Sequence, residues 1–542
     1  MDDEVSGATY DLVLHGEIYD GTGAPPFAGY VGVTGEVITY VGKEKITGKK
    51  EVTAPAISPG FIDIHTHSDL SIALDGRCES KLFQGVTTDV SGNCAFGPVP
   101  INRERMAEHT AHLQGMDFTG GGYKESDISW SDLNGYRAIL ESRGIAQNSA
   151  PLVGHGNLRI AAMGLKEGGA KGADLAKMEE LLERELAQGA FGMSTGLTYV
   201  PSRYADIDEL VALGKVLKKH NRVYTSHARD FDILGNDDFF GVVNEALEVG
   251  RRSGVRVQYS HASINHPDRW GMASKWTDLF ADAVKKGVNA CFDVYPYDAS
   301  SSALTQYLPA WVQADGVDAM AQRLSDPENF ARAEQDLARG WGAMQIPWQW
   351  NRVMLSATEG LLDTKAGQRI DEAARERKMT PEHLVLQLCR LGGNRVMVVL
   401  FYRTEEDMRT FIRSPHSMIC SDGSAIAFKQ SKALPHPRSY GAAVRALGFI
   451  GREKRDLPLE TIIYKMSGKV ATHMGIHDRG VIQVGKAADL VAFDPATVKD
   501  QATFTKPGQA PVGIDYVIVN GQIAVAGGVQ REVRAGKVLS AL

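Results

Sequence analysis

Short apolar runs alternate with helical stretches through most of the chain, and this alternation limits the possible folds more than any other feature. The runs are short, as at 60–64, 223–226 and 255–260, and stretches typical of helices, such as 177–188 and 206–220, lie between several of them. Strands and helices in alternation predict an α/β protein with a parallel sheet. At this length we expect the sheet to close into a TIM-like (β/α)8 barrel.

The two ends of the chain have a different pattern, which is typical of short strands joined by tight turns. Residues 10–16 alternate between apolar and polar side chains, and 517–523 contains an Asn-Gly turn between two apolar runs. We therefore expect residues 1–60 and 475–542 to pair into one small β-sandwich domain. Residues 61–474 then form the catalytic barrel.

Residues 303–360 interrupt the alternation. Charged helical sequence is followed there by three of the seven tryptophans of the chain, at Trp341, Trp348 and Trp350. We interpret the segment as an insertion over the barrel mouth. It is either a lid over the site or a packing excursion with no gating role.

Charge and cysteine content restrict the partners and the compartment. The net charge of -7 gives no electrostatic reason to expect a nucleic acid or an anionic membrane as partner, so we expect a small-molecule substrate. The sequence has no apolar run long enough to span a bilayer, and the acidic N-terminus does not resemble a secretory signal. Five widely spaced cysteines argue against a disulfide framework and predict a cytoplasmic protein. The sequence carries no signal of oligomeric state.

His65 and His67 form the strongest local signal for a metal site. They follow the apolar strand 60–64 in a His-x-His pattern. Alternate side chains of an extended strand point the same way, so both imidazoles can bind one metal ion. Two surface histidines could have this spacing by chance, but their position after a buried strand favours metal ligation.

Three further polar residues occupy equivalent positions at later strands. His227 and His261 each follow an apolar run, and Asp422 closes the last strand of the barrel. Each histidine alone could be a core residue, and the aspartate could be a helix or turn cap. Together they predict two more metal ligands and a carboxylate that either binds metal or takes the proton of an activated water.

Cys94 is a candidate ligand of a different chemical type. It follows the strand 87–90 within Ser91-Gly92-Asn93-Cys94. A thiolate at this position would be a soft zinc ligand, whereas a buried structural cysteine is the more common case. The other four cysteines are interpreted as structural.

Together these motifs resemble the amidohydrolase superfamily, and within it most of all the N-acyl-D-amino-acid deacylases, or D-aminoacylases. The resemblance extends over nearly the whole chain and includes the segments 154–159, 194–199, 293–297, 436–438 and 485–491. The Ser-Gly-Asn-Cys motif is specific, whereas 485–491 is general to the superfamily. Other members of the superfamily bridge two metals with a carboxylated lysine. This chain differs from them, because its strand 190–194 contains no lysine.

The resemblance implies a metal-dependent hydrolase with a defined set of ligands. A tightly held zinc would be bound by Cys94, His227 and His261. A second, weaker site would use His65 and His67 together with the same cysteine. Asp422 would be the general acid and base of a linear amide hydrolysis.

The same resemblance implies a substrate pocket. Tyr199, Tyr295 and Arg438 match family positions that line it. Arg438 and Arg159 are the candidates for binding a substrate carboxylate through forked hydrogen bonds.

One departure from the family pattern concerns the substrate. The family usually has a lysine two residues after the histidine that is His261 here, and this chain has Ser263 instead. Another basic group then replaces that lysine, or the substrate is not a simple N-acyl amino acid. A hydrolase of cyclic amides, imides or lactones is the alternative within the superfamily. A scaffold without catalysis is disfavoured, because every expected metal ligand is present.

Overall fold

The computed structural model describes residues 10–116, 122–229, 241–342, 345–429 and 433–542. Residues 1–9 of the predicted 1–60 segment lie outside the described residues. The prediction about a secretory signal also concerns these residues. The same is true of residues 343–344 in the predicted 303–360 segment. Within the described ranges, no helix has the length and apolar character needed to cross a membrane.

The strands, in chain order, are β1 (Leu12–Ile18), β2 (Phe27–Thr34), β3 (Val37–Gly42), β4 (Glu51–Pro59), β5 (Phe61–Asp63), β6 (Val86–Ser91), β7 (Asn148–Pro151), β8 (Val153–Gly154), β9 (Gly192–Gly196), β10 (Val223–His227), β11 (Arg256–Tyr259), β12 (Ala290–Val294), β13 (Ser300–Ala303), β14 (Val353–Ala357), β15 (Met397–Leu400), β16 (Ser417–Ile419), β17 (Leu490–Phe493), β18 (Ile514–Val519), β19 (Gln522–Ala526) and β20 (Val529–Gln530).

The α-helices, in chain order, are α1 (Ser71–Leu74), α2 (Glu79–Leu82), α3 (Met106–Leu113), α4 (Leu133–Arg143), α5 (His155–Met163), α6 (Ala173–Ala187), α7 (Ile207–Lys219), α8 (Gly241–Ser253), α9 (Ala273–Lys285), α10 (Ala310–Gln313), α11 (Val317–Arg323), α12 (Pro327–Ala338), α13 (Ile370–Glu376), α14 (Pro381–Gly392), α15 (Glu405–Arg413), α16 (Arg438–Arg445), α17 (Leu459–Lys465) and α18 (Gly468–Met474).

Strands from both ends of the chain share one eight-stranded sheet, in the order β20-β19-β18-β17-β4-β1-β2-β3. The two ends meet where β17 pairs antiparallel with β4, with Leu490 opposite Pro59. In β4, buried Val52 and Ala54 alternate with exposed residues, so one face of the strand is in the core. The strand patterns at the two ends therefore belong to one structure, whereas a sandwich domain bounded at 60 and 475 stays a prediction.

The central strands are parallel, as the alternation predicts, and they form two sheets with the orders β16-β12-β11-β10-β9-β8 and β5-β6-β7. Only Leu152 separates β7 from β8, so the two sheets adjoin there. A parallel bridge between Thr66 and Gly423 joins the segment after β5 to the segment after β16. The carboxyl ends of the parallel strands consequently lie at one rim.

The segment between β12 and β16 contains a separate α/β unit. β13, β15 and β14 form a three-stranded antiparallel sheet, with α10 to α14 between the strands in sequence. This inserted unit has a hydrophobic core of its own, which begins at Leu304 and ends at Tyr402. This core extends beyond residue 360, whereas an insertion bounded at 303 and 360 and its lid function stay predictions.

Helix α7 illustrates how the sequence determines the helical layer. The Asp206 side chain caps the helix by accepting a hydrogen bond from the backbone N–H of Glu209, and two lysines occupy the last turn. Leu210, Leu213 and Leu217 recur at helical spacing and are buried. This stripe packs α7 between α6 and α8 on the outside of the parallel sheet.

Candidate metal centre

All six predicted metal and acid–base residues lie at the carboxyl ends of the parallel strands. His65 and His67 follow β5, Cys94 follows β6, His227 ends β10, His261 follows β11 and Asp422 follows β16. They form two overlapping groups, in each of which the potential ligand atoms all lie within 4.8 Å of one another. One group is His65, His67, Cys94 and Asp422, and the other is Cys94, His227 and His261.

Cys94 belongs to both groups. Its Sγ lies 3.3 Å from Nε2 of His65 and 3.5 Å from Nε2 of His261. In the second group, Nε2 of His261 lies 2.9 Å from Nδ1 of His227. One thiolate could therefore ligate two neighbouring metal ions.

Three of these residues have a backbone conformation that non-glycine residues rarely adopt. The φ angles are 54° at Cys94, 35° at His261 and 50° at Asp422. Left-handed backbone at such residues costs about 1–3 kcal/mol each, and three such residues within one cluster are typical of a functional site. Here it turns three side chains inward as the chain leaves the strands.

The donor set fits zinc. Thiolate and imidazole are the ligands that zinc prefers, and ligating histidines have to be neutral. Burial lowers the pKa of His227 to about 3 and that of His67 to about 4, and it takes the pKa of His261 well below the usual value. Burial also raises the pKa of the Cys94 thiol to about 11, so the thiol loses its proton only to a metal or a strong base.

His65 differs from the other three histidines. Burial alone would lower its pKa, but the negative charges of Asp293 and Asp422 raise it well above the usual value. Nδ1 of His65 lies 3.3 Å from Asp293 Oδ1, which leaves Nε2 directed at Cys94 and Asp422. A cation at Nε2 would take the place of the second imidazole proton.

Asp422 is held as a carboxylate. Its Oδ2 lies 2.7 Å from Nη1 of Arg438, and its Oδ1 lies 3.0 Å from Nε2 of His67. Burial favours the neutral acid, but the Arg438 guanidinium, the charge of His65 and the hydrogen bond from His67 hold the pKa of Asp422 well below its usual range. The side chain is therefore ionised at neutral pH and can accept a proton.

Two supporting groups were not identified from the sequence as functional. Asp293, buried at the end of β12, accepts hydrogen bonds from the Gln258 side chain and from the backbone N–H of His261, in addition to its contact with His65. The Thr198 hydroxyl lies 3.1 Å from Nε2 of His227, on the opposite side of the ring from His261. Such partners fix the orientation of ligating imidazoles. A carboxylate within the apolar run 290–294 was the available signal for Asp293.

The ligands open into a cavity that contains three of the four predicted substrate-binding residues. Tyr199, Tyr295 and Arg438 line it, as does Ser263, which replaces the lysine of the family pattern. Burial raises the pKa of Tyr199 well above its usual value, so this phenol stays a hydrogen-bond donor. Trp341 of the inserted unit lies in the wall as well.

The fourth predicted residue, Arg159, lies elsewhere. It is fully buried in α5, where its Nη1 pairs with Oε2 of Glu209 at 2.6 Å and its Nη2 donates to the carbonyls of Lys166 and Gly168. It does not line the cavity. Nη1 and Nη2 of Arg159 are engaged by these partners outside the cavity, so the expectation that Arg159 binds a substrate carboxylate there is corrected.

Arg403 was not identified from the sequence, yet it lines the cavity. It lies just beyond β15, at the end of the inserted unit. The sequence offered little signal, because Arg403 precedes the helix cap Thr404 and so resembles an ordinary residue before a helix.

Comparison with known proteins gives consistent matches along the chain. The model of the amidohydrolase family matches residues 56–525. A D-aminoacylase of Alcaligenes xylosoxydans xylosoxydans is 31% identical over 516 residues, which cover 94% of either chain. An N-acyl-D-glutamate deacylase of the same organism is 31% identical over 517 residues, 94% of this chain and 93% of the relative.

A solved structure agrees with these matches. It is an N-acyl-D-glutamate deacylase from Bordetella bronchiseptica, complexed with zinc and a phosphonate inhibitor that mimics the tetrahedral intermediate of the reaction. The similarity covers 98% of this chain and 100% of that chain, with a TM-score of 0.80 and 29% sequence identity.

Proposed function

This chain belongs to the amidohydrolase family and has its α/β fold, and from that premise we propose that it is a zinc-dependent hydrolase that deacylates N-acyl-D-amino acids. The observation that carries the proposal is the pair of donor groups joined at Cys94, with the ionised Asp422 beside them. The D-configuration comes from the relatives, a D-aminoacylase and an N-acyl-D-glutamate deacylase.

Cys94, His227 and His261 would hold the tightly bound zinc, because they combine one thiol with two neutral imidazoles. His65 and His67, with the shared Cys94, would form a second and weaker site beside Asp422. When bound, zinc supplies polarisation of the amide carbonyl and a water whose pKa is lowered toward neutrality.

Asp422 would carry the proton through the reaction. As a carboxylate it takes the proton of the attacking water, and it returns this proton to the nitrogen of the leaving amine. Arg438, at 2.7 Å, keeps Asp422 ionised between turnovers. Tyr199, which remains a neutral phenol, would donate a hydrogen bond to the negative charge that develops on the carbonyl oxygen.

We also propose the finer architecture that the sequence predicts. β5, β6, β7 with β8, β9, β10, β11, β12 and β16 would count as the eight strands of a barrel within 61–474. The bridge between Thr66 and Gly423 supports closure of that barrel. Residues 1–60 and 475–542 would form the β-sandwich domain, and the 303–360 part of the inserted unit would act as a lid.

Five cysteines without disulfides support a cytoplasmic location.

Hydrolysis of a matched panel of N-acyl D- and L-amino acids, including bulky aromatic members, tests the proposal. We expect turnover of the D-compounds, loss of activity with a chelator and recovery with zinc. The panel also contains cyclic amides and lactones. Turnover of these compounds alone would replace the proposed function with that of a cyclic amide or lactone hydrolase.

A further inference from the structure

Among the residues that the structure describes, the cavity beside the metal centre is lined by one arginine that has no carboxylate partner. Three arginines line it: Arg229, Arg403 and Arg438. Arg229 pairs with Glu245 at 3.1 Å, and Arg438 pairs with Asp422 at 2.7 Å. Among the described residues, no carboxylate lies within ion-pair distance of Arg403. A buried or half-buried guanidinium without a counter-ion favours an anionic ligand.

Arg403 is oriented by the protein in advance of any ligand. Its Nε donates to Oδ1 of Asn265 at 3.1 Å, and its Nη1 donates to the Tyr295 hydroxyl. Its guanidinium carbon also lies 4.8 Å from the centre of the Tyr295 ring. These hydrogen bonds use two of the five N–H groups, so others remain for a ligand, and little side-chain entropy is lost on binding.

Tyr295 relates Arg403 to the reacting centre. The guanidinium carbon of Arg438 lies 4.8 Å from the centre of the same ring, and Arg438 contacts Asp422 directly. The Tyr295 ring therefore separates Arg403 from Arg438, which contacts the proposed proton carrier. In an N-acyl amino acid, one carbon separates the carboxylate from the nitrogen of the cleaved bond. A substrate with its amide at Asp422 would thus bring its carboxylate to this part of the cavity.

Arg403 also lies over the loop in which the expected lysine is missing. Ser263 lines the cavity, and two residues later Asn265 accepts the hydrogen bond from Arg403. The guanidinium thus reaches the loop of Ser263 from the inserted unit. A basic group is present on this side of the cavity, although a different segment of the chain supplies it.

We propose that Arg403 binds the α-carboxylate of the substrate and so selects N-acyl amino acids over neutral amides. This inference rests on the proposed function and names its specificity residue. The guanidinium would meet the carboxylate with paired N–H donors, which a single ammonium group cannot do. Arg438, which the sequence also predicts as a ligand of this carboxylate, already contacts Asp422 at 2.7 Å.

The test compares N-acetyl-D-leucine with N-acetyl-D-leucinamide, which differ only in the carboxylate. We expect the wild type to prefer the acid. Arg403→Gln should lower kcat/KM for the acid by about 100-fold or more and leave the value for the amide within about threefold. Arg403→Lys should recover part of the preference. Arg395→Gln is the matched control, because it removes an exposed cation of the same unit and should change neither value.

Two kinetic outcomes would overturn the assignment. Equal losses for acid and amide would indicate that Arg403 only supports the fold, and an unchanged preference would indicate that it does not meet the carboxylate. N-acetyl-D-glutamate and N-acetyl-D-glutamine form a second pair with a free α-carboxylate in both. If Arg403→Gln affects only the glutamate compound in this pair, the residue binds a side-chain carboxylate and the proposal is wrong.

A binding measurement separates this proposal from the proposed function. Calorimetry with N-acetyl-D-leucine is performed on Asp422→Asn protein, in which turnover is strongly slowed, with and without Arg403→Gln. A loss of affinity of about 100-fold, absent for the leucinamide, supports Arg403 even if the wild type hydrolyses no N-acyl amino acid. Equal affinity in both proteins refutes the role of Arg403 even if the wild type is an active deacylase.

Discussion

Replacing Asp422 with asparagine removes the proposed proton carrier with little change in shape. The amide oxygen can still accept from Arg438, whose Nη1 lies 2.7 Å from Oδ2 in the wild type. An amide cannot take up and return a proton at neutral pH. Proton transfer by a positioned side chain contributes about 10²–10⁴-fold to the rate, which corresponds to about 3–5 kcal/mol of activation free energy. We therefore expect kcat to fall by that factor.

The zinc content should not fall with it, because the group formed by Cys94, His227 and His261 does not include Asp422. The assay measures kcat and bound zinc on the same protein sample, below its melting temperature. Asp422→Glu is the control that keeps a carboxylate, and we expect it to retain more activity than the asparagine variant. A kcat within tenfold of the wild type in Asp422→Asn would refute the role of this residue, and loss of zinc in that variant would refute the assignment of the tight site.

Two further predictions concern acid stability and metal binding. Glu209 is paired with Arg159 and His155, which lower its pKa to about 2 despite burial. Its ion pair should stabilise the fold by about 3 kcal/mol above the unfolded pKa of about 4.3, and this contribution is lost as the pH falls toward 2. Glu209→Gln should lower the free energy of unfolding by about 3–5 kcal/mol near neutral pH. In acid, the unfolding free energies of the wild type and the variant should converge. A difference between them that stays constant from pH 7 to pH 3 would contradict this prediction. Because the thiol pKa of Cys94 is about 11, binding of the first zinc at pH 7.5 should release about one proton. Calorimetry in buffers of different ionisation enthalpy measures the number of protons released. Zinc binding without proton release would exclude thiolate ligation.

The positions of the metal ligands could be predicted because each ligand lies at or just after the carboxyl end of a parallel strand. His227 and His261 each come at the end of an apolar run, and the carboxyl ends of parallel strands meet at one rim. A residue just after such a strand is therefore near the others, whatever its distance in sequence. Cys94 was harder to assign, because its chemistry alone does not separate a ligand from a core thiol, and the resemblance of its motif was needed.

Arg159 and Arg403 show what the sequence could not provide. The partner of Arg159, Glu209, lies 50 residues further along the chain, and only packing of α5 against the segment that begins α7 brings them together. Arg403 follows β15, and the sheet that contains β15 is different from the sheets whose strands precede the metal ligands. Tertiary packing determines where each guanidinium lies relative to the cavity. An arginine in the sequence does not indicate how that packing will place it.

The end of the inserted unit could not be predicted from the sequence for a similar reason. The buried runs of β14 and β15 are short and apolar, like those of the parallel strands. Periodicity alone does not distinguish antiparallel from parallel pairing when both faces of a strand are buried. The break in the alternation at 303 indicated the beginning of the unit, but the pattern contained no signal for its end at β15.

The zinc content of the purified protein tests the central claim most directly. Elemental analysis of the wild type should find about one tightly bound zinc per chain, and Cys94→Ala should retain less than about a tenth of it. Cys389→Ala, which removes a buried thiol from the core of the inserted unit, is the matched control and should keep the full amount. A folded wild type that is active without any metal, or a Cys94→Ala protein with a full equivalent of zinc, would contradict the account.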